Sequence, residues 1–176
     1  MLMKDLACRA GVNGGFYGTD DHPLGLMTIS GQEISRTKTS LLLNGFAAVV
    51  CENRRCFMSI SDQPTPGAKY DLQTGPLLLS EGIVKPLSLI SDKPARRMVL
   101  ATGETDTYLI SVFNGEAETA GPNLADLPEL VKQIGTINHL NLEKAINLDG
   151  GGASALHFPG ADLDETKPVG SWWCVK

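Results

Sequence analysis

Apolar and polar positions along the chain change period several times, and the changes divide it into short elements. The apolar stretches 41–51 and 56–60 flank the polar turn "ENRR", which predicts two strands joined tightly. "GLMTISGQEI" predicts a hairpin turning at Gly31. Further strands are expected at 75–80, 83–90, 97–102 and 107–113, then at 145–148, 153–158 and in the closing "VGSWWCV". "NLADLPELVKQI" is the clearest helix, with Asp126 as cap, Pro128 in its first turn and Gly135 at its end. Two shorter helices are expected, one ending over residues 4–10 before Gly11 and one over "HLNLEKA". Many strands, few helices and no regular βαβ alternation predict an α+β fold. Its sheet should be mixed, largely antiparallel and twisted. No repeat, low-complexity tract or linker divides residues 1–176, so one domain is expected.

Composition narrows the partners more than the fold. At 176 residues the chain is long enough for a core of its own. A net charge of -5, with only "NRR" and "KPARR" as basic clusters, argues against a nucleic-acid surface. No apolar stretch reaches membrane-spanning length. "MLMKDLACRAG" is too short and too charged in its apolar part for a signal peptide. Cys51 and Cys56 would face each other across the predicted hairpin, within disulfide range. A disulfide and a pair of reduced thiols both satisfy that placement. No Cys/His spacing suggests zinc, and His22, His139 and His157 form no paired motif. "TDDHP" offers Asp20, Asp21 and His22 to a cation, but its composition is that of a polar turn before Pro23.

The segment "AINLDGGGASALHF" carries the candidate chemistry. Three glycines directly after Asp149 exceed what a turn requires. Glycine lets a ligand approach the main chain, and successive N–H groups in such a bend can form an anion nest. Asp149 at the end of a strand would be held rigidly beside it. Other glycine motifs fail: the run is neither a P-loop, nor G-x-G-x-x-G, nor G-x-S-x-G. "GVNGGFYG", with Asn13, Gly14 and Gly15, is a second place where bare backbone meets a ligand or another chain segment.

Together these segments resemble the phosphodiester glycosidase family. Its "NGGFF" is similar to Asn13–Tyr17, its "P-x-G…G" continuation to "PLGLMTISGQ" and its "sGP-x-L" to "TGPLLLSEG". Its "PRT" arginine resembles Arg96, its "NLDGGGSS" resembles "NLDGGGAS", and its late "RPV" strand is similar to "KPVGSWWCV". The order is kept along nearly the whole chain. Ala153 stands where the family has serine, Arg97 where it has threonine and Lys167 where it has arginine. Family domains also begin upstream with strands that have no counterpart here.

The resemblance implies hydrolysis of a sugar-1-phosphodiester at the anomeric carbon, without a cofactor or metal. A phosphate monoester leaves with a conjugate-acid pKa of about 6, so it needs little of the acid assistance given by the usual carboxylate pair. Asp149 would then be nucleophile, base or electrostatic stabiliser, and Arg96 the phosphate clamp. Asn13, Gly14, Gly15, Gly150, Gly151 and Gly152 would add neutral donors, and Ser154 would orient substrate or water, or stay buried on backbone. The alternative from another class is a non-catalytic module for sugar phosphates or anionic glycans. A metal-dependent phosphodiesterase and a structural homologue using Trp172 or Trp173 at a partner interface rank lower. On an alternating strand those tryptophans face opposite ways. The family's members point to an exported or periplasmic destination.

Overall fold

The run Met98–Ala101 shows no polar alternation because its strand is covered on both sides, every one of these residues being buried. The structure, a computed structural model, describes residues 6–53, 55–115, 117 and 119–176. The first strands in chain order are β1 (Ala10–Asn13), β2 (Met27–Ile29), β3 (Gln32–Ser35), β4 (Gly45–Glu52), β5 (Arg55–Ser61), β6 (Tyr70–Thr74) and β7 (Leu77–Ser80). Then come β8 (Ile83–Val84), β9 (Arg97–Thr102), β10 (Thr107–Val112), helix α1 (Leu127–Ile137), β11 (Lys144–Asn147), β12 (Leu156–Phe158), β13 (Ala161–Leu163) and β14 (Trp172–Val175).

The strands form three sheets, ordered β10-β9-β11-β7-β8, β3-β2-β6-β4-β5 and β13-β12-β1-β14. Period-two alternation sends Val99, Ala101 and Ala145 to one face of the first sheet, against Leu127 and Val131 of α1. Met98, Leu100 and Ile146 go to the other face, where they meet Val12, Ala47 and Ile60 of the two remaining sheets. This sheet is therefore the middle layer, and β11 lies at its centre. The expected mixed sheet is corrected: every pairing among the described strands is antiparallel. The fold is predominantly β, with α1 and two short 3-10 turns at Leu124–Asp126 and Gly151–Ala153.

Local differences from the pattern have physical causes. The β2–β3 hairpin turns through Ser30 and Gly31 at φ of +53° and +80°, as expected. Gly135 does not end α1. It lies on the buried face, and the helix runs on to Ile137 before His139 turns left-handed at φ +55°. "HLNLEKA" is not a helix, because Lys144 and Ala145 pair with Thr102 and Ala101 and bury Ala145 completely. The helix expected over residues 4–10 falls partly outside the described residues. Ala10 already belongs to β1, opposite Val175. Of the strand expected at 83–90 only Ile83–Val84 pairs, and of that at 153–158 only Leu156–Phe158.

Both cysteine pairs are disulfides. Cys51 and Cys56 oppose each other on β4 and β5 with Cα atoms 4.1 Å apart, which resolves the alternative left open above. Cys8–Cys174 joins the chain ends across the β1–β14 pairing, over a sequence separation of 166. By loop-closure entropy the long bridge is worth about 5 kcal/mol and the short one about 2. Replacing Cys8 and Cys174 together by serine should therefore lower the unfolding free energy more than replacing Cys51 and Cys56. Urea titrations of the oxidised proteins check that order.

Candidate active site

Asp149 follows β11 with one intervening residue, and two segments fix its main chain. Its N–H donates to Gly14 O at 2.9 Å, and its carbonyl accepts from Asn13 Nδ2 at 2.7 Å. Asn13 is fully buried at the end of β1, and its Oδ1 accepts from Ala155 N at 3.0 Å. Both ends of the Asn13 amide are thus committed to the segment 149–155. Its expected role as a donor to substrate is corrected: it laces β1 to the glycine bend. Gly14 and Gly15 likewise donate to Ser171, to its carbonyl and its Oγ respectively.

The bend itself is half-buried over residues 149–152, at the boundary with solvent. Gly151 adopts φ +62°, which disfavours any other residue. The expected open nest is largely filled by the protein: Gly150 N donates to Asp149 Oδ1 at 2.8 Å, and Gly151 N to Arg96 O at 2.8 Å. Gly152 O accepts from Thr166 N and Lys167 N at 2.8 and 2.9 Å. The Lys167 stem packs so closely there that a Gly152 side chain would meet Cγ at 2.8 Å. Lys167 is exposed beyond this contact.

Arg96 differs most from expectation. It is 2% exposed, and its Nη2 donates to the carbonyls of Ser154 and Asp164. Its own carbonyl takes Gly151 N and Ser154 Oγ. A guanidinium so enclosed holds the bend from within and is not exposed to a bound phosphate, so the clamp expected of it is corrected. Ser154 is fully buried on Arg96 O, the backbone-bonded alternative. Arg97 also borders the bend, with Nη1 3.7 Å from the position a Gly150 side chain would take. Its Nε and Nη2 are held by Pro122 O, Lys93 O and Asp92.

Electrostatics single out Asp149. Burial pushes its carboxyl up to about 6, against the Gly150 N–H bond and the Lys167 charge, which act to lower it. Burial and the charges of Asp149 and Asp21 hold the Tyr17 phenol above its ordinary range. Tyr17 Oη donates to Pro168 O, so Tyr17 ties the loop 16–25 to the loop 164–171. Tyr17 and Lys167 are the site residues that single-sequence reasoning missed as participants. Both stood inside the quoted motifs, but nothing in residue type told that both interact electrostatically with one carboxylate. A hollow of about 660 Å³ lies elsewhere, among residues such as Ile60, Leu77, Leu79 and Lys144, and none of the site residues lines it. Asp20 and His22 form an exposed turn, His22 Nδ1 lying 2.8 Å from Asp20 O. Trp173 packs on the core, and Trp172 faces the His157 ring at 5.5 Å.

A group with a raised folded-state carboxyl pKa stabilises the fold at low pH and loses that contribution as pH rises. For Asp149 the loss runs from its ordinary 3.8 to about 6. Asp149→Asn should raise stability at pH 7.5 by as much as about 3 kcal/mol and leave it nearly unchanged at pH 4. Urea unfolding at the two pH values measures this. Arg96→Leu should cost about 2–5 kcal/mol, through the carbonyls it strands. An Arg96→Leu protein with wild-type unfolding free energy would contradict the stapling role.

The comparisons with known proteins agree in kind. The family model described as phosphodiester glycosidase matches residues 7–176. The zebrafish N-acetylglucosamine-1-phosphodiester alpha-N-acetylglucosaminidase catalytic domain, solved auto-inhibited by its pro-peptide, is 15% identical with a TM-score of 0.68. That similarity covers 96% of this chain and 63% of that one. A hypothetical protein from Synechocystis is 16% identical with a TM-score of 0.60, over 97% of this chain and 52% of its own. The chain thus spans less than two thirds of either solved structure. No curated protein sequence matches it.

Proposed function

This chain belongs to the phosphodiester glycosidase family, and from that premise we propose that it hydrolyses a sugar-1-phosphodiester at the anomeric carbon. The observation that carries the reading is Asp149 itself: a half-buried carboxylate at the end of the central strand, anchored by Asn13 and Gly14 and electrostatically coupled to an exposed lysine. Water supplies the oxygen to the anomeric carbon, the bond from that carbon to the phosphate oxygen breaks, and a phosphate monoester leaves. The leaving group is stable as an anion near neutral pH, so the proton demand falls on the attacking water alone. The Asp149 carboxylate offsets the positive charge that develops on the sugar and accepts that proton. Because Gly150 N–H holds Oδ1, the carboxylate keeps one orientation throughout.

Lys167 replaces Arg96 as the cation for the phosphate in this proposal. Lys167 is exposed and its charge acts on Asp149, whereas the Arg96 guanidinium is buried and its Nη2 donates to main-chain carbonyls. Asn13, Arg96 and Ser154 act as positioning residues. Gly14 and Gly15 are buried against Ser171 and support the site from behind, while Gly150–Gly152 form the half-buried bend at its edge. A glycan or small molecule carrying a sugar-1-phosphate is the substrate class, and the two disulfides support action in an oxidising, extracytoplasmic compartment.

The test is sugar release from a panel of uridine-diphosphate sugars and methylphosphate sugar diesters. Turnover should rise with pH through about 6 as Asp149 ionises. Asp149→Asn should cost on the order of 10³-fold in kcat. Lys167→Met should cost about 10- to 100-fold in kcat/KM without loss of stability. Full turnover by Asp149→Asn would end the proposal. Saturable thermal protection without product would favour the non-catalytic binding module.

A further inference from the structure

We propose that His157, Asp164 and Glu165 form a binding site for one divalent transition-metal ion of the zinc class, with Asp162 orienting the imidazole. The site lies outside the proposed sugar chemistry and does not depend on it. Its starting point is the β12–β13 hairpin, whose register sets His157 directly opposite Asp162. Across that pair His157 Nδ1 lies 2.9 Å from Asp162 Oδ1. Donation of the Nδ1 proton to the carboxylate leaves the lone pair on Nε2, the arrangement that prepares an imidazole to bind a metal. Trp172 lies against the ring with centroids 5.5 Å apart. The imidazole is therefore 17% exposed and fixed in aim before any ion arrives.

Nε2 faces two further carboxylates, at 4.0 Å from Asp164 Oδ1 and 3.8 Å from Glu165 Oε2. All three ligand atoms lie within 4.8 Å of one another. Zinc bonds nitrogen and carboxylate oxygen at about 2.0–2.2 Å, so its tetrahedral ligands sit about 3.4 Å apart. Closing the remaining gap takes only side-chain rotation. Both acids are free to make it, at 85% and 45% exposure. Their main chain does not need to move, because Arg96 holds Asp164 O from within and Gly152 O holds Thr166 N and Lys167 N. One nitrogen and two carboxylate oxygens, with the fourth position open to water, suit zinc; magnesium and calcium prefer all-oxygen shells. The bound ion would pin β12 to the segment that ends in Lys167. The sequence offers no warning, since one hairpin residue and two loop residues make no recognised ligand spacing.

The experiment uses the whole disulfide-intact chain, stripped with chelator and titrated with zinc chloride or magnesium chloride by calorimetry, with thermal unfolding in parallel. One equivalent of zinc should bind and raise the unfolding temperature, and magnesium should do neither. His157→Gln should weaken zinc binding at least 100-fold and Asp162→Asn about tenfold. Glu165→Gln, on an exposed side chain, serves as the variant that leaves the fold intact, and it should also weaken binding at least tenfold. Absence of saturable one-to-one zinc binding, or unchanged affinity in both His157→Gln and Glu165→Gln, overturns the proposal.

Discussion

A buried arginine guanidinium is tolerable only when main-chain or acidic partners take its protons, and at Arg96 that requirement organises one end of the molecule. Its Nη2 gathers the carbonyls of Ser154 and Asp164, while its own carbonyl receives Gly151 N and Ser154 Oγ. Three segments distant in sequence meet there: the start of β9, the glycine bend and the loop that carries Lys167. Asn13 performs the neighbouring task from β1, closing on Asp149 O and Ala155 N. With these connections in place the bend has one shape, and the carboxylate on its leading edge has one address.

The same rigidity explains why Asp149 is electrostatically uncomfortable. Its main chain is tied to Gly14 and Asn13 and its Oδ1 accepts from Gly150 N, which together hold the carboxylate in its half-buried position. The Gly150 N–H and the Lys167 charge compensate only in part, and the carboxyl remains raised to about 6. A fold that holds a carboxylate against its solvation preference gives up stability at neutral pH, and in the proposed reaction this is the charge set against the developing positive centre. The three-sheet architecture supplies the support. β11 sits at the centre of a sheet buried on both faces, so its C-terminal end is among the least yielding points available.

Much of this was legible along the chain. The strand at 97–102 and the hairpin about Gly31 are local patterns, and a run of apolar residues or a pair of turn residues announces them. Cys51 and Cys56 were legible for the same reason, being neighbours across a short turn. Asp149 and its glycines stood out because three consecutive glycines are rarely compatible with regular structure unless the backbone needs them. The roles around them were not legible. Arg96 and Lys167 are both cations beside the signature; whether each points inward or outward depends on which carbonyls lie within reach, and those carbonyls belong to residues dozens of positions away.

What the sequence by itself determined is therefore the set of short strands, the one clear helix, the family and the carboxylate at the bend, since each is written in contiguous residue types and spacings. The tertiary structure alone decided that the sheet is three antiparallel sheets and that "HLNLEKA" leads into a strand. It also decided that Cys8 meets Cys174, and that Arg96 is a buried staple while Lys167 is exposed with its charge acting on Asp149. The physical reason is common to all of these: they follow from long-range burial and from the pairing of enclosed polar groups with partners distant in sequence. Local propensity carries no information about partners that distant.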